Sequence, residues 1–234
     1  LPKPFFENFN MIIGDEAHTF KAKSLTTLMT KLTNANFRIG TTGTLDGTQT
    51  HKLVLEGLFG PAYNVISTKK LMDQDYLAKL EIHCIVLQYN DEERKLVSSL
   101  DYRKEIEFIV GHDRRMEFIT DMASNLKGNT LILFQLVGKH GQRLYESIKL
   151  KNSEKNIYFI YGGTPVDERE KVRELTEQSD NTIIVASYGT FSTGINIRRL
   201  HNIIFASPNK SRIRNLQSIG RGLRLGDDKS KAIL

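Results

Sequence analysis

Short apolar runs alternate along this sequence with stretches of helical periodicity, and this alternation limits the fold more than any other feature. LILF at 131–134 and IIVA at 183–186 are apolar at every position. Strands of this kind are buried on both faces, as in a parallel sheet that is covered by helices. The sequence therefore predicts a doubly wound α/β fold with a parallel sheet. The predicted strands are 11–13, 37–41, 82–87, 131–134, 157–160, 183–186 and 203–206, and the predicted helices are 23–32, 68–77, 92–127 (broken near Gly111), 141–150, 166–178 and 213–219.

The length of the chain, 234 residues, allows one large domain or two small ones. A charged helical stretch at 90–115 has the composition of a connector. We therefore predict two domains, residues 1–85 and residues 86–234.

The composition excludes several classes of protein. The formal net charge of +6 is compatible with binding a polyanion, but alone it barely favours nucleic acid. Cys84 is the single cysteine, so an internal disulfide is excluded and a reducing compartment is favoured. No apolar stretch approaches the roughly 20 residues of a membrane helix. The first residues, LPKPFFENFN, lack the pattern of a signal peptide. They begin in the middle of a structural pattern, as a fragment would.

Polar stretches follow three of the predicted strands directly. DEAH follows MIIG, TTGT follows FRIG and SYGTFSTG follows IIVA. Ligands of parallel α/β proteins bind beyond the carboxyl ends of the strands. The three stretches therefore predict one ligand-facing sheet edge, or two such edges that face each other.

The adjacent carboxylates Asp15 and Glu16 suit hydrolysis of a nucleoside triphosphate. One carboxylate is enough to hold Mg²⁺, which keeps much of its water, and the second can activate the attacking water. The alternative is an acidic N-terminal cap of the next helix. A zinc-protease site is excluded because His18 has Ala22, not a second histidine, one turn later.

The stretch QSIGRGLR near the end of the sequence carries an amide and two guanidinium groups. If 213–224 is largely helical, Gln217, Arg221 and Arg224 share one face and suit a triphosphate. The alternative is a basic surface helix. Gly220 and Gly222 argue against it, because each weakens a helix by roughly 0.5–1 kcal/mol relative to Ala.

Two further stretches are rich in hydroxyl groups, and a third is explained by structure. Thr42–Thr44 and SYGTFSTGIN at 187–196 suit phosphate oxygens of a nucleotide or of a nucleic-acid backbone. YGGTPVDER at 161–169 predicts a turn with Thr164 as N-cap and Pro165 at the first helical position. We assign no catalytic role to that third stretch.

Taken in order, DEAH, TGT, TLILF, YGG with a later Arg, SYGTFSTGINI and QSIGRGLR resemble motifs II to VI of superfamily 2 helicases. The resemblance covers nearly the whole chain. It implies a RecA-like core of the P-loop NTPase class. Residues 1–85 would be the C-terminal part of domain one, with motifs II and III, and residues 86–234 would be domain two. It also implies an ATP- and Mg²⁺-dependent DNA helicase or translocase, acting in the cytoplasm on branched or duplex DNA in recombination, replication and repair, with RNA–DNA hybrids as further partners.

The resemblance assigns roles to the first group of site residues. It makes Asp15 the magnesium-contacting acid and Glu16 the catalytic base. His18 takes the position that couples the nucleotide site to motif III, here Thr42 to Thr44. In this family the attacking water and the metal lie in a cleft that closes between two RecA-like domains.

The resemblance assigns the remaining roles to the last third of the chain. Arg221 and Arg224 match arginine fingers, and Gln217 matches a γ-phosphate sensor. Gly194 and Asn196 match motif V positions near the ribose and the attacking water, although the family often has Asp where this chain has Asn196. The resemblance also assigns contacts with the nucleic-acid backbone to three residues with hydroxyl groups, Ser187, Thr190 and Ser192.

The family's phosphate loop, G-x-x-x-x-G-K-[ST], normally precedes DEAH. The one Gly-Lys pair of the sequence lies in GKH at 138–140, after the wrong strand and without the Ser or Thr for magnesium, so an ordinary loop is predicted. We therefore expect this chain alone to be inactive in ATP hydrolysis. Two other functions remain open: a non-catalytic nucleic-acid-binding module and the translocation subunit of a restriction-type enzyme.

Overall fold

The computed structural model describes residues 1–45, 48–192, 197–226 and 229–234, without the side chain of Ser192. It consists of two compact units, Leu1–Ser67 and Thr68–Leu234. The first unit contains α1 (Lys3–Phe6), β1 (Met11–Gly14), a 3₁₀ helix (Ala17–Lys21), α2 (Lys23–Lys31), β2 (Phe37–Gly40) and α3 (Gln49–Phe59). The second contains α4 (Thr68–Asp73), β3 (Lys79–Glu81), α5 (Asp91–Ser98), α6 (Tyr102–Gly111), α7 (Asp113–Asn125), β4 (Thr130–Phe134), a π-helical turn (Val137–Gln142), α8 (Arg143–Lys151), β5 (Asn156–Ile160), α9 (Val166–Glu177), β6 (Thr182–Ser187), α10 (Tyr188–Ser192), β7 (Asn202–Phe205), α11 (Arg212–Gly222) and β8 (Lys231–Ile233).

The first unit is built on a two-stranded parallel sheet, in which Met11 pairs with Phe37 and Ile13 with Ile39. Successive side chains of a strand point to opposite faces. Ile12 accordingly packs towards the apolar core of this unit, while the other face of the sheet stays exposed. The buried core residues are Phe20, Met29, Leu32, Ala35 and Leu55.

The second unit is built on a six-stranded sheet with the order β3-β8-β7-β4-β6-β5, in which every neighbouring pair is parallel. The two faces of the sheet have separate apolar cores. Leu131 and Leu133 of β4 belong to one core, and Ile132 and Phe134 belong to the other. Burial on both faces explains why positions 131–134 of β4 and 183–186 of β6 are all apolar. The predicted α/β fold with a parallel sheet is confirmed.

Local capping divides the long helical stretch that was predicted over 92–127. Asn90 forms a capping box with Glu93 at the start of α5. The Asp101 carboxylate accepts a hydrogen bond from the main-chain N–H of Lys104 and starts α6. His112 Nδ1 accepts from the N–H of Arg115 at the start of α7. The break near Gly111 is confirmed, and a second break lies before Tyr102.

The strand predicted at 82–87 is wrong. The strand is Lys79–Glu81 instead, and Ile82, Ile85 and Val86 are exposed. The main chain of β3 pairs with β8, and one further hydrogen bond joins His83 N–H to the Leu234 carbonyl over 2.7 Å. Because β3 lies in the second sheet, the two compact units divide at Ser67, ahead of the boundary expected at residue 85.

The sequence-based expectation had no counterpart for the short helix α1, the 3₁₀ helix Ala17–Lys21, helix α3, helix α10 or strand β8. In the described part of the chain, no helix is both long enough and apolar enough to cross a membrane.

Candidate nucleotide-hydrolysis residues and their surroundings

The polar residues after β1 and β2 are joined by main-chain hydrogen bonds. Thr41 N–H donates to the Gly14 carbonyl over 2.9 Å, and Ala17 N–H donates to the Thr41 carbonyl over 2.9 Å. Because the two strands are parallel, their carboxyl ends lie side by side. The structure thus brings the DEAH stretch and the TTGT stretch together.

Glycines end both strands because aromatic rings lie directly against the backbone there. A Cβ atom on Gly14 would lie 2.9 Å from the Phe59 ring and 3.0 Å from the Phe20 ring. On Gly40 it would lie 3.0 Å from the Ala17 Cβ and from the Phe59 ring. Any larger residue would therefore push the two polar stretches away from the core beneath them.

Glu16 has a left-handed backbone, with φ 47° and ψ 48°. Residues other than glycine seldom adopt this conformation, and it is found more often at functional sites. The side chain does not cap the following 3₁₀ helix, so the acidic N-cap alternative is not supported. One carboxylate oxygen lies 3.2 Å from His18 Nδ1, and the side chain is 55% exposed. The carboxylate is therefore both oriented and accessible to water.

The Asp15 carboxylate is held by its own neighbourhood. Oδ1 accepts hydrogen bonds from Glu16 N–H over 2.8 Å and from the Thr41 hydroxyl over 3.0 Å. Within the described residues, Oδ2 accepts none, and Asp15 is exposed. The described residues contain no group of three or more His, Cys, Asp or Glu side chains that could hold a metal ion by themselves. Mg²⁺ needs no such cluster, because it binds one or two carboxylates together with water and phosphate. The Asp15 carboxylate fits that requirement.

His18 connects Glu16 to Thr42. Its Nδ1 lies 3.0 Å from the Thr42 hydroxyl, and the side chain is buried. The Thr42 hydroxyl donates its single hydrogen to the Thr44 carbonyl over 3.0 Å. The hydroxyl must therefore accept from His18, so Nδ1 carries the ring hydrogen in this arrangement. The hydroxyl of Thr44 is buried and has no partner among the described residues.

His51 is a buried neighbour of this cluster that sequence reasoning missed. It lies on α3, and its Nε2 is 2.9 Å from the His18 carbonyl, so the ring donates to the main chain. Helix α3 itself was not predicted, so no sequence signal pointed to this contact.

In the second unit, the hydroxyl residues at the end of β6 and directly after it lie partly inside the fold. The Ser187 and Thr190 hydroxyls are 2.8 Å apart, and Thr190 is buried in α10. The side chain of Ser192 and the residues Gly194 and Asn196 lie outside the described part of the chain. The nucleic-acid and nucleotide contacts assigned to these five residues stay predictions.

Helix α11 carries two of the three predicted triphosphate-binding side chains. Gln217 and Arg221 lie one turn apart on it and are half-buried, and the Arg221 guanidinium is 5.9 Å from the centre of the Phe191 ring. The helix ends at Gly222, with Leu223 as C-cap, so Arg224 lies beyond it. The expectation of one helical face that includes Arg224 is therefore wrong.

The two glycines of α11 differ in their surroundings. A Cβ atom on Gly222 would lie 2.4 Å from Ile203 Cδ1, so a glycine allows α11 to approach β7 closely. Around Gly220 there is open space. The predicted close approach is confirmed for Gly222 only.

The turn between β5 and α9 is stabilised differently from the prediction. Pro165 is the N-cap of α9, and the helix begins at Val166. The Thr164 hydroxyl accepts from Tyr161 N–H over 3.0 Å and closes the preceding turn. Thr164 is therefore not the N-cap. Arg169 donates through Nε to the Thr164 carbonyl over 2.8 Å, which ties the turn to α9.

The Gly-Lys pair at 138–139 belongs to a π-helical turn, so the predicted ordinary loop is wrong. His140 in this turn is fully buried, and its Nδ1 lies 2.9 Å from the Ser207 hydroxyl. Ser207 also accepts from Gln135 N–H through its hydroxyl and from the Tyr188 hydroxyl through its carbonyl. The network therefore joins residues that follow β4, β6 and β7. Burial, followed by the positive charges of two nearby arginines, lowers the pKa of His140 to about 4.

The fold and the ordered motifs define a class of protein. Residues 114–226 match the helicase conserved C-terminal domain. The resemblance to superfamily 2 helicases is thereby confirmed: residues 114–226 are similar to the helicase conserved C-terminal domain, and the parallel sheet with its flanking helices is a RecA-like fold.

Individual relatives agree with this class. The chain is 34% identical to the ATP-dependent DNA helicase uvsW of Enterobacteria phage T4, over 99% of this chain and 46% of that protein. The crystal structure of T4 UvsW matches over 100% of this chain and 46% of the solved chain, with a TM-score of 0.57 and 29% identity. A fragment of a putative HsdR subunit of a type I restriction enzyme from Vibrio vulnificus YJ016 shares the fold, with a TM-score of 0.71 and 20% identity over 96% of this chain and 43% of that one. The chain thus spans about half the length of these relatives.

Proposed function

We propose that this chain is part of an ATP-dependent DNA helicase or translocase that remodels branched DNA in recombination, replication and repair. Residues 1–67 supply the magnesium-contacting acid Asp15 and the general base Glu16. Residues 68–234 supply Arg221 and Arg224 to the same reaction, as cations that stabilise developing charge on the triphosphate.

The observation that carries the proposal is the joined cluster of Asp15, Glu16, His18 and Thr42. The Glu16 carboxylate is half exposed and lies 3.2 Å from His18 Nδ1, so it can accept a proton from water while His18 keeps its orientation. Its neighbour Asp15 presents an exposed oxygen to a cation. When bound, Mg²⁺ would neutralise charge on the phosphates.

DNA as the substrate follows from the relationship to uvsW, a protein described as an ATP-dependent DNA helicase. The fold shared with the HsdR fragment, at 20% identity, supports the parallel-sheet architecture alone. We therefore do not propose the restriction-type function for this chain.

The test uses the full-length protein that contains this chain. DNA-stimulated ATP hydrolysis should fall by about 10²- to 10⁴-fold in Glu16→Gln, because that is the usual contribution of a general base. Binding of a fluorescent ATP analogue should be retained, since the amide has the same shape. Glu7→Gln, an equal substitution at a partly exposed carboxylate of the same unit, is the control and should behave as wild type.

Two results would contradict the proposal. One is near-normal ATP hydrolysis by Glu16→Gln, which would show that Glu16 is not the general base. The other is ATP hydrolysis by the wild-type protein without separation of either a four-way DNA junction or a plain duplex. This result would contradict the helicase assignment.

A further inference from the structure

Lys229 is a lysine with an almost completely buried side chain, 3% exposed. Its Nζ donates hydrogen bonds to three main-chain carbonyls, those of Gly222 at 2.5 Å, Arg224 at 3.0 Å and Arg198 at 3.3 Å. An ammonium group has three N–H donors, so all of them are used. This geometry compensates for the cost of burying the charge.

Two of the three carbonyls lie within the predicted triphosphate-binding stretch QSIGRGLR, and the third lies on a separate segment of the second unit. Gly222 is the last residue of α11 and Arg224 follows the helix end. Arg198 follows the stretch SYGTFSTGINI on a separate segment. The last carbonyls of a helix have no partner within the helix and attract a cation. Lys229 therefore connects the end of α11 to the segment after β6.

Arg224 depends on this contact more than Arg221 does. Arg221 lies within α11, where the helix itself sets the direction of the side chain. Arg224 lies past the helix end, and the Lys229 ammonium holds its main-chain carbonyl. The main chain of Leu223 is held as well, because its carbonyl accepts from Ala78 N–H over 2.7 Å.

We propose that Lys229 is a positioning residue, whose ammonium fixes the main chain of Arg224 so that the Arg224 guanidinium reaches the triphosphate. This inference rests on the proposed function. Burial lowers the pKa of Lys229 to about 8, and the nearby Glu177 carboxylate opposes that shift. Glu177 is itself placed by accepting from the main-chain N–H of Arg198. The ammonium is accordingly the main form at neutral pH.

Lys155 offers a matched control in the same unit. Its Nζ donates to two main-chain carbonyls around the end of α7, Leu126 at 2.8 Å and Ala123 at 3.3 Å. Burial lowers the pKa of Lys155 too. Its partners lie on α7 and its end, away from α11, so Lys155→Met removes a similar cap without touching Arg224.

The experiment is a double-mutant cycle in the full-length protein, with steady-state DNA-stimulated ATP hydrolysis as the readout. Lys229→Met should lower kcat about 10- to 100-fold, since a misplacement of about 1 Å can cost that much. ATP affinity should stay within about twofold, because the lost interaction acts in the transition state. Lys155→Met should leave both constants unchanged, although both lysine variants should lower the unfolding temperature.

The cycle separates positioning from general stability. If Lys229 acts through Arg224, then Lys229→Met should have little further effect in the Arg224→Ala background. Full additivity of the two changes, or a kcat of Lys229→Met equal to that of wild type, would overturn the inference. If Lys229→Met does not fold, Lys229→Gln replaces it in the same cycle, because glutamine keeps an amide donor on a shorter side chain. Full additivity with Arg224→Ala, or a wild-type kcat, would again overturn the inference.

Failure of this inference is distinguishable from failure of the proposed function. If wild type lacks DNA-stimulated hydrolysis, or Arg224→Ala leaves it unchanged, then the role of Arg224 itself is wrong. If Arg224→Ala reduces kcat and Lys229→Met is additive to it, then only the positioning role of Lys229 is wrong.

Discussion

His18 Nδ1 and Thr42 Oγ1 lie 3.0 Å apart, although the two residues follow different strands. The same nitrogen lies 3.2 Å from the Glu16 carboxylate. A change at the base can therefore reach the segment after β2 through a single imidazole ring. This contact gives a structural basis to the coupling role that the sequence motifs predict for His18 and Thr42.

Thr42→Val should weaken this coupling in the full-length protein. Valine keeps the shape of the side chain but removes the hydroxyl that accepts from His18. A net contribution of about 0.5–1.5 kcal/mol for such a hydrogen bond corresponds to a roughly 2- to 10-fold smaller stimulation of ATP hydrolysis by DNA. Thr30→Val, at an exposed threonine of α2, is the control. Unchanged stimulation in Thr42→Val would argue against coupling by this route.

Binding of the full-length protein to DNA should depend steeply on salt. If the contacts are to phosphates, the logarithm of the binding constant falls linearly with the logarithm of salt concentration, with a slope of about −0.9 per phosphate on duplex DNA. Fluorescence anisotropy with two oligonucleotides of unrelated sequence measures both properties. A flat salt profile, or a strong preference for one sequence, would contradict backbone recognition.

These 234 residues alone should not hydrolyse ATP, because the sequence contains no G-x-x-x-x-G-K-[ST] stretch. Backbone N–H groups and the lysine of such a loop hold the β- and γ-phosphates in this type of site. Phosphate release by the purified chain, with and without DNA, is the measurement. Hydrolysis that disappears in Glu16→Gln of the same chain would mean that the nucleotide site has been misplaced.

Limited proteolysis should cut the first unit before the second. The sheet of the first unit has two strands, which are marginal alone, and one of its faces exposes apolar side chains. The exposed residues are Met11, Ile13, Phe37 and Ile39. Mass spectrometry of the digest should find early cuts within 1–67 and a surviving fragment close to 68–234. Early cuts in the six-stranded sheet instead would show that the second unit is the weaker one.

The unfolding free energy should decrease as the pH falls from about 6.5 towards 4. The pKa of His140 is about 4 in the folded protein, below its ordinary value of 6.5, so the unfolded state binds more protons in this range. One group with this shift contributes about 3 kcal/mol to the free energy of unfolding. This contribution is fully present above pH 6.5 and is lost below pH 4. His140→Gln should flatten that part of the profile, measured by urea unfolding. His83→Gln, at an exposed histidine, should leave it unchanged.

The sequence predicted best those elements that local pattern determines. Positions 131–134 of β4 and 183–186 of β6 are all apolar because both faces are buried, and this pattern is visible in the local sequence. Strand β8 is short, and its pairing depends on β3 and β7, so nothing within its own three residues marks it as a strand.

The candidate site divides in the same way. Asp15, Glu16 and His18 stand together in one motif, so they could be named before the fold was known. The contacts of Lys229 with Arg198, of His140 with Ser207 and of His51 with His18 join residues that are far apart in the sequence. Such contacts have no signature in spacing or composition. For Gly222 the sequence predicted a close approach of the backbone to some other group, but not that the group would be Ile203.

The position of β8 between β3 and β7 has a consequence for how the chain folds as it is made. Lys79 of β3 pairs with Lys231 of β8, at almost opposite ends of the second unit. During synthesis β3 leaves the ribosome long before its partner, and the free edge of β7 must also wait for β8. Closing so long a loop is slow and leaves strand edges open in the meantime. The last step of folding should therefore be the insertion of β8, and a nascent chain that stalls before residue 231 should depend on chaperones to avoid aggregation.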